Sequence, residues 1–292
     1  MSPFEALVEK GFFLNSLSYS PKLIEEWNML LSPLFIVQED KGRAYVKANV
    51  LFELGILDKI FNEQIQSLLC HLMPDAIFYH CHAYEIKASQ AQSHIHWGEN
   101  LGWHRDEECA FEYNPKGANH ISMFIYLTDV DEENGPFEIR LASPFSYFKP
   151  KEKTLKVIDK AGAVFFFNRF FWHRACPNYS SSRRRVIKFS FQPRGLNNGR
   201  INLTEFVELR KLAAPKNVFL EYLANPDHPA KSLQEIISQP SLCEPYPSVI
   251  IPSFNSSMDL GLKYLLKHNW KLLKQKLKKN SLETELLPSK NY

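Results

Sequence analysis

The sequence has no uninterrupted apolar run of about 18 residues, so a membrane-spanning helix is not expected. Its N-terminal residues show no basic stretch followed by an apolar run, so no secretory leader is expected either. It has no CxxC pair. Its five cysteines (Cys70, Cys81, Cys109, Cys176, Cys243) are odd in number and widely spaced, which argues against a disulfide framework and for reduced thiols in a cytoplasmic protein. Bulk charge is small, at +3, and implies no nucleic acid or other polyanionic partner. The excess is local: residues 261–280 hold seven lysines and no Asp or Glu. No internal repeat is visible.

What is present is ordinary globular composition, 45% hydrophobic and 23% charged, enough for one large domain or two small ones. Phenylalanine is abundant at 22 residues, and aromatic residues favour strands, so a β-rich core is expected. The pattern predicts a short helix over 4–10, a strand at 12–14, and a helix from Ser20-Pro21 to about Leu31. A turn follows at 40–42 and a second long helix over 51–72. Strands are expected at 77–86, 120–130, 137–141, 155–159, 163–167 and 186–192, with a strong turn cluster at 131–136. So many short strands suggest a sandwich or barrel. After Pro193 the reading is helical over 203–223 and 230–238, extended and proline-rich over 240–252, and helical again over 258–279.

Trp103-His104-Arg105-Asp106 is the sharpest signal. An imidazole and a carboxylate two residues apart point the same way on an extended strand. His173 ends a nearly continuous apolar run, 163–172, interrupted only by Asn168 and Arg169, and is placed to point into a cavity. Two imidazoles and one carboxylate on one face of a metal leave three positions open, the set used by non-heme Fe(II) oxygenases. His104, Asp106 and His173 are therefore read as catalytic Fe(II) ligands, with 2-oxoglutarate and O2 taking the open positions. A surface ion pair with an unrelated core histidine accounts less well for the spacing and for the arginines that follow.

Those arginines are Arg183, Arg184 and Arg185, at the start of a strand. A bidentate guanidinium is a natural grip for a carboxylate in a cleft. Alternation puts Arg184 on one face with Val186, Lys188 and Ser190, and Arg185 on the other with Ile187, Phe189 and Phe191. Alternation alone does not choose between them.

His104-Arg105-Asp106, the segment 121–139 with its LTDVDEENGP, His173 to Asn178 and the arginine run together resemble the phytanoyl-CoA dioxygenase superfamily, over about residues 5–193. Ectoine hydroxylase and many natural-product hydroxylases and halogenases belong to it. The resemblance implies a double-stranded β-helix (a cupin-like jelly roll) with flanking helices, and metal ligands at His104, Asp106 and His173. It also implies that oxoglutarate is held by Arg184, eleven residues after His173, and so chooses Arg184 over Arg185. Since Asp106 is present, it implies oxidation of a small-molecule C–H bond in specialised metabolism rather than halogenation. The strand at 77–87 would border the site, with Tyr84, Lys87 and Gln92 as further oxoglutarate-binding candidates. His82, Trp97 and Trp103 are candidate pocket residues. The His80/His82 and His94/His96 pairs are read as pocket lining or surface rather than a second metal site. Asn178 is expected to cap the turn after His173.

The expected organisation is an oxygenase core over 1–200 and a helical extension over 201–292 packed on the same domain. At least one segment of 194–257 is expected to cover the mouth of the site. The helix at 258–279 has leucines and Trp270 on one face and lysines elsewhere; it is read as packing outside, with a weak membrane-surface or carrier-protein contact as the alternative. Two functional rivals stand beside the main reading: a non-catalytic binding or regulatory protein on this scaffold, and an enzyme of the same fold catalysing desaturation, cyclisation or epimerisation.

Overall fold

The computed structural model describes residues 1–37, 39–40, 43–89, 101–106, 118–141, 153–196, 203–214 and 216–238. The first elements are α1 (Pro3–Glu9), β1 (Phe12–Ser18), α2 (Pro21–Val37), β2 (Glu39–Asp40), β3 (Arg43–Lys47), α3 (Ala48–Glu53), α4 (Ile56–Ile60), α5 (Glu63–Leu72) and β4 (Ala76–Ile86). They are followed by β5 (Ile121–Tyr126), β6 (Phe137–Arg140), β7 (Thr154–Val157), β8 (Ala163–Asn168), β9 (His173–Ala175) and β10 (Arg184–Pro193). The last are α6 (Leu203–Ala213), α7 (Val218–Ala224) and α8 (Leu233–Ser238).

Two antiparallel sheets face each other. The larger runs β1-β8-β5-β10-β4-β3-β2 and the smaller β7-β6-β9. Their shared core and the helices on the outer face of the larger sheet make this a double-stranded β-helix with flanking helices. Alternation sorts the layers. On β5, Ile121, Met123 and Ile125 pack with Trp27, Leu31 and Phe61 of the helical layer, whereas Phe124 and Tyr126 pack with Phe137, Ile139 and Val157 of the smaller sheet. Both faces are covered, which is why the strand reads as an unbroken apolar run. On β10, Ile187, Phe189 and Phe191 go to the helices and Val186 to the smaller sheet. Among the described residues, no helix is long and apolar enough to cross a membrane.

The turn cluster at 131–136 builds itself. The Asp131 carboxylate accepts the backbone N–H groups of Glu133 and Asn134 at 2.9 and 3.0 Å, and the Asn134 amide donates to the Asp129 carbonyl at 2.7 Å. Asn178 caps its own turn, accepting the Ser180 N–H at 3.1 Å.

Several boundaries differ from the sequence reading. The second helix runs on through Pro33 to Val37, because Leu34 and Phe35 are buried and reward the extra turn. The helix expected over 51–72 is three: Gly55 takes a left-handed conformation, and Asn62 caps α5 by accepting from Gln64 and Ile65. The helix expected over 203–223 is two, with Asn217 capping α7. The sequence reading has no strand where β9, His173–Ala175, stands.

Gly162 gives a test of the frame. Its φ is +99°, and an added Cβ would lie 2.3 Å from the Tyr19 carbonyl oxygen. That carbon would also disturb the Tyr19 N–H to Gly162 carbonyl bond of 3.0 Å. Gly162→Ala is expected to lower unfolding stability by about 1–3 kcal/mol from backbone strain alone, read by urea denaturation. An unchanged midpoint would show that the turn relaxes freely.

Candidate metal centre

His104 and His173 are tied together through the backbone. The His104 N–H donates to the His173 carbonyl at 3.1 Å and the His173 N–H to the His104 carbonyl at 2.9 Å, extending the smaller sheet by one bridge beyond β9. Their ring centroids are 4.4 Å apart. Leu101 (φ +48°) and Gly102 (φ +82°) turn the chain just before Trp103. His104 Nδ1 lies 2.8 Å from the Gly102 carbonyl oxygen, and His173 Nδ1 lies 2.8 Å from that of Phe171. A carbonyl oxygen only accepts, so both Nδ1 atoms carry protons and both Nε2 atoms keep a lone pair. Asp106 Oδ2 lies 3.6 Å from His173 Nε2. One ligand atom from each of His104, Asp106 and His173 falls within 4.8 Å of the others, a spacing that a single ion spans.

Asp106 is held from behind. Arg169, 2% exposed, donates from Nε to Asp106 Oδ2 at 2.7 Å, and the Asp106 N–H donates to the Arg169 carbonyl at 3.3 Å. The Arg169 guanidinium in turn lies 4.6 Å from the Tyr79 ring. Burial pushes the Asp106 carboxyl up, but the charges of Arg169 and Lys188, with the Arg169 hydrogen bond, outweigh it and hold the group well below the usual carboxylate range. Burial, with the His104 ring beside it, lowers His173 to about 3. Near neutral pH the His173 imidazole is therefore neutral and the Asp106 carboxyl ionised.

The three residues open on a cavity of about 200 Å³. Tyr45, His80, His82 and Tyr84 from β3 and β4, Lys188 from β10, and Phe124, Phe137 and Phe167 form most of its wall. His82 and Tyr84 are thus both part of the wall. Trp103 is buried beneath the Arg174 guanidinium, 4.8 Å away, and is not part of the wall. Lys87 is not part of the wall either; it follows β4, and its carbonyl receives the Asn178 amide at 3.0 Å. Gln92, Trp97, His94 and His96 lie outside the described residues.

The arginine run separates completely. Arg185 faces the helices, donating to Glu85 at 2.6 Å, Asn28 at 3.0 Å and Ser32 at 2.7 Å. Arg183 is the exposed partner of the same Glu85, at 2.7 Å. Arg184 is fully buried on the opposite face, 5.5 Å from the Tyr126 ring and 5.9 Å from that of Tyr84. None of its three guanidinium nitrogens makes a hydrogen bond. It lies beyond the cavity wall, against Tyr84, which is itself part of that wall.

Sequence reasoning missed Lys188, Tyr45 and Arg169. Lys188 was visible on the Arg184 face, and Arg169 as an interruption of an apolar run, but neither pattern says what lies opposite. The described residues of 194–257 are not part of the cavity wall. Phe206, Leu209, Phe219 and Leu233 of α6 to α8 bury in the helical core instead, with Phe206 stacked 5.6 Å from Phe78. The smaller sheet already covers the site face, so the apolar sides of these helices bury where the larger sheet is still open. Residues 239–257, and the expected helix at 258–279, lie outside the described residues.

A model of the family described as phytanoyl-CoA dioxygenase (PhyH) matches residues 36–186. Among curated proteins, no sequence matches this chain. Solved structures share the fold. AviO1 from Streptomyces viridochromogenes Tue57 is 16% identical with a TM-score of 0.51, over 66% of this chain and 95% of its own. SnoK, a non-heme alpha-ketoglutarate-dependent carbocyclase from nogalamycin biosynthesis, is 17% identical with a TM-score of 0.50, over 66% of this chain and 84% of its own.

Proposed function

The chain belongs to the phytanoyl-CoA dioxygenase family, and on that premise we propose that it is a non-heme Fe(II) and 2-oxoglutarate-dependent dioxygenase that oxidises a C–H bond of a small molecule. The observation that carries this reading is the convergence of His104, Asp106 and His173 within 4.8 Å on a cavity. The donor set fits Fe(II): two imidazole Nε2 lone pairs and one ionised carboxylate, with room for three further donors. Arg184 fits the cosubstrate. A buried guanidinium with no hydrogen bond is costly unless an acceptor arrives, and a carboxylate accepts two parallel N–H bonds.

Iron bound there would let O2 oxidise oxoglutarate to succinate and CO2 and transfer oxidising power to the substrate C–H bond. The chain's own residues do the rest. Gly102 and Phe171 carbonyls keep both imidazoles in the ligating tautomer. Arg169 fixes the Asp106 carboxylate. Phe124, Phe137 and Phe167 exclude water, and Tyr84 and His82 shape the wall. We read residues 1–200 as the oxygenase core and 201–292 as an extension on the same domain, supported by the packing of α6 to α8 into the helical core.

The test is spectroscopic. Anaerobic Fe(II) with oxoglutarate is expected to give a visible metal-to-ligand charge-transfer band on the purified protein, and oxygen is expected to bleach it with release of succinate. Absence of the band from folded, iron-loaded protein would remove the proposal and favour a binding protein on the same scaffold.

A further inference from the structure

Lys188 and Arg184 share one face of β10, two alternations apart, and the register places their charged ends. Lys188 pairs with Phe124 and His82, and its ammonium lies 5.9 Å from the Phe124 ring, in its own row. Arg184 pairs with Ile86, yet its guanidinium packs on Tyr84 and Tyr126, which are the partners of Val186. The guanidinium therefore leans one row toward Lys188. Those two rows are neighbours on one face of the sheet, a step of about 7 Å along an antiparallel strand. A five-carbon dicarboxylate in extended form spans a comparable distance between its ends. The ammonium is the metal-side cation: Lys188 is part of the cavity wall together with His104, Asp106 and His173. Arg184 is the remote one.

We propose that Lys188 is a second carboxylate anchor, holding the metal-side carboxylate of oxoglutarate while Arg184 holds the distal one. The inference rests on the oxygenase reading and adds to it a binding residue and a division of labour between two cations. It makes the site selective for ligands acidic at both ends.

The probes are oxoglutarate and oxalate. Oxalate carries the chelating carboxylate but is too short to reach Arg184. Both are titrated calorimetrically into Fe(II)-loaded protein without oxygen, with iron content and melting temperature recorded for each variant. Lys188→Gln is expected to weaken both ligands by roughly tenfold or more, the effect of losing a charge-assisted contact in a cleft. Arg184→Gln is expected to weaken oxoglutarate and leave oxalate unchanged, and Lys188→Arg to retain most oxalate affinity. In the unmutated protein, oxalate is expected to protect Lys188 from reductive methylation, read by mass spectrometry, so a variant that fails to fold does not end the test. Oxalate affinity unchanged in Lys188→Gln, or no protection of Lys188, overturns the inference and assigns the ammonium to the substrate. If the unmutated protein binds neither ligand, the oxygenase reading falls with it. If it binds both and only the Lys188 results are negative, this inference falls alone.

Discussion

Asp106→Ala is expected to abolish iron retention and oxidation together. Two imidazoles alone leave the ion under-ligated and more positively charged, and the nearest remaining group is the Arg169 guanidinium, 2.7 Å from the carboxylate that was removed. A buried cation facing a divalent ion opposes binding, so metal affinity should fall by at least about 100-fold, the upper end of what loss of a supporting residue costs. Alanine also strands Arg169, which can destabilise the fold by about 3–5 kcal/mol. Asp106→Asn separates the two effects. It keeps an acceptor for Arg169 and removes the charge, so it should melt near the parent while losing most iron, measured by elemental analysis after dialysis. Full iron content and turnover in a folded Asp106→Ala protein would sink the three-ligand reading.

The second large effect distinguishes three adjacent arginines by three different readouts. Arg184→Ala is expected to weaken oxoglutarate by about 2–5 kcal/mol, well over tenfold, because it removes the distal carboxylate's grip inside a buried site. Arg185→Ala is expected to leave oxoglutarate affinity alone and lower stability by about 3–5 kcal/mol. It abandons Glu85, 3% exposed, to a single exposed partner, and cuts the link from β10 to Asn28 and Ser32 of α2. Arg183→Ala should change either quantity by no more than about 1 kcal/mol, as expected for a solvent-screened ion pair. Calorimetric titration and thermal unfolding of the same preparations give both numbers. A large rise in the oxoglutarate requirement of a normally stable Arg185→Ala protein would mean that β10 presents the opposite face to the site.

The parts legible in the sequence share one property: they depend on residues close in the chain. His104 and Asp106 turn the same way because extended backbone has a period of two. The Asp131 to Pro136 turn follows from side chains that bond their own backbone within three residues. The apolar run of β5 follows from burial on both faces. Misreadings arose where local signals conflicted with packing. Gly55 and Asn62 marked the breaks in the helix read over 51–72, and the apolar periodicity across them hid both. Pro33 marked a stop, and the burial of Leu34 and Phe35 overrode it.

The sequence by itself determined the candidate ligand types, their spacing, the family and the two alternating faces of β10. Tertiary structure alone decided which face meets which layer. Arg184 and Arg185 are equivalent by alternation. They part because β4 and β5 flank β10 in a register that turns Arg184 to Tyr84 and Tyr126 and Arg185 to α2. Lys188 reaches the cavity, and Arg169 reaches Asp106, by the same route, through contacts between residues 63 to 106 positions apart. A residue's own neighbours in the chain carry its periodicity. Its partner across a sheet is chosen by the energy of burying whole strands at once, and no local pattern records that choice.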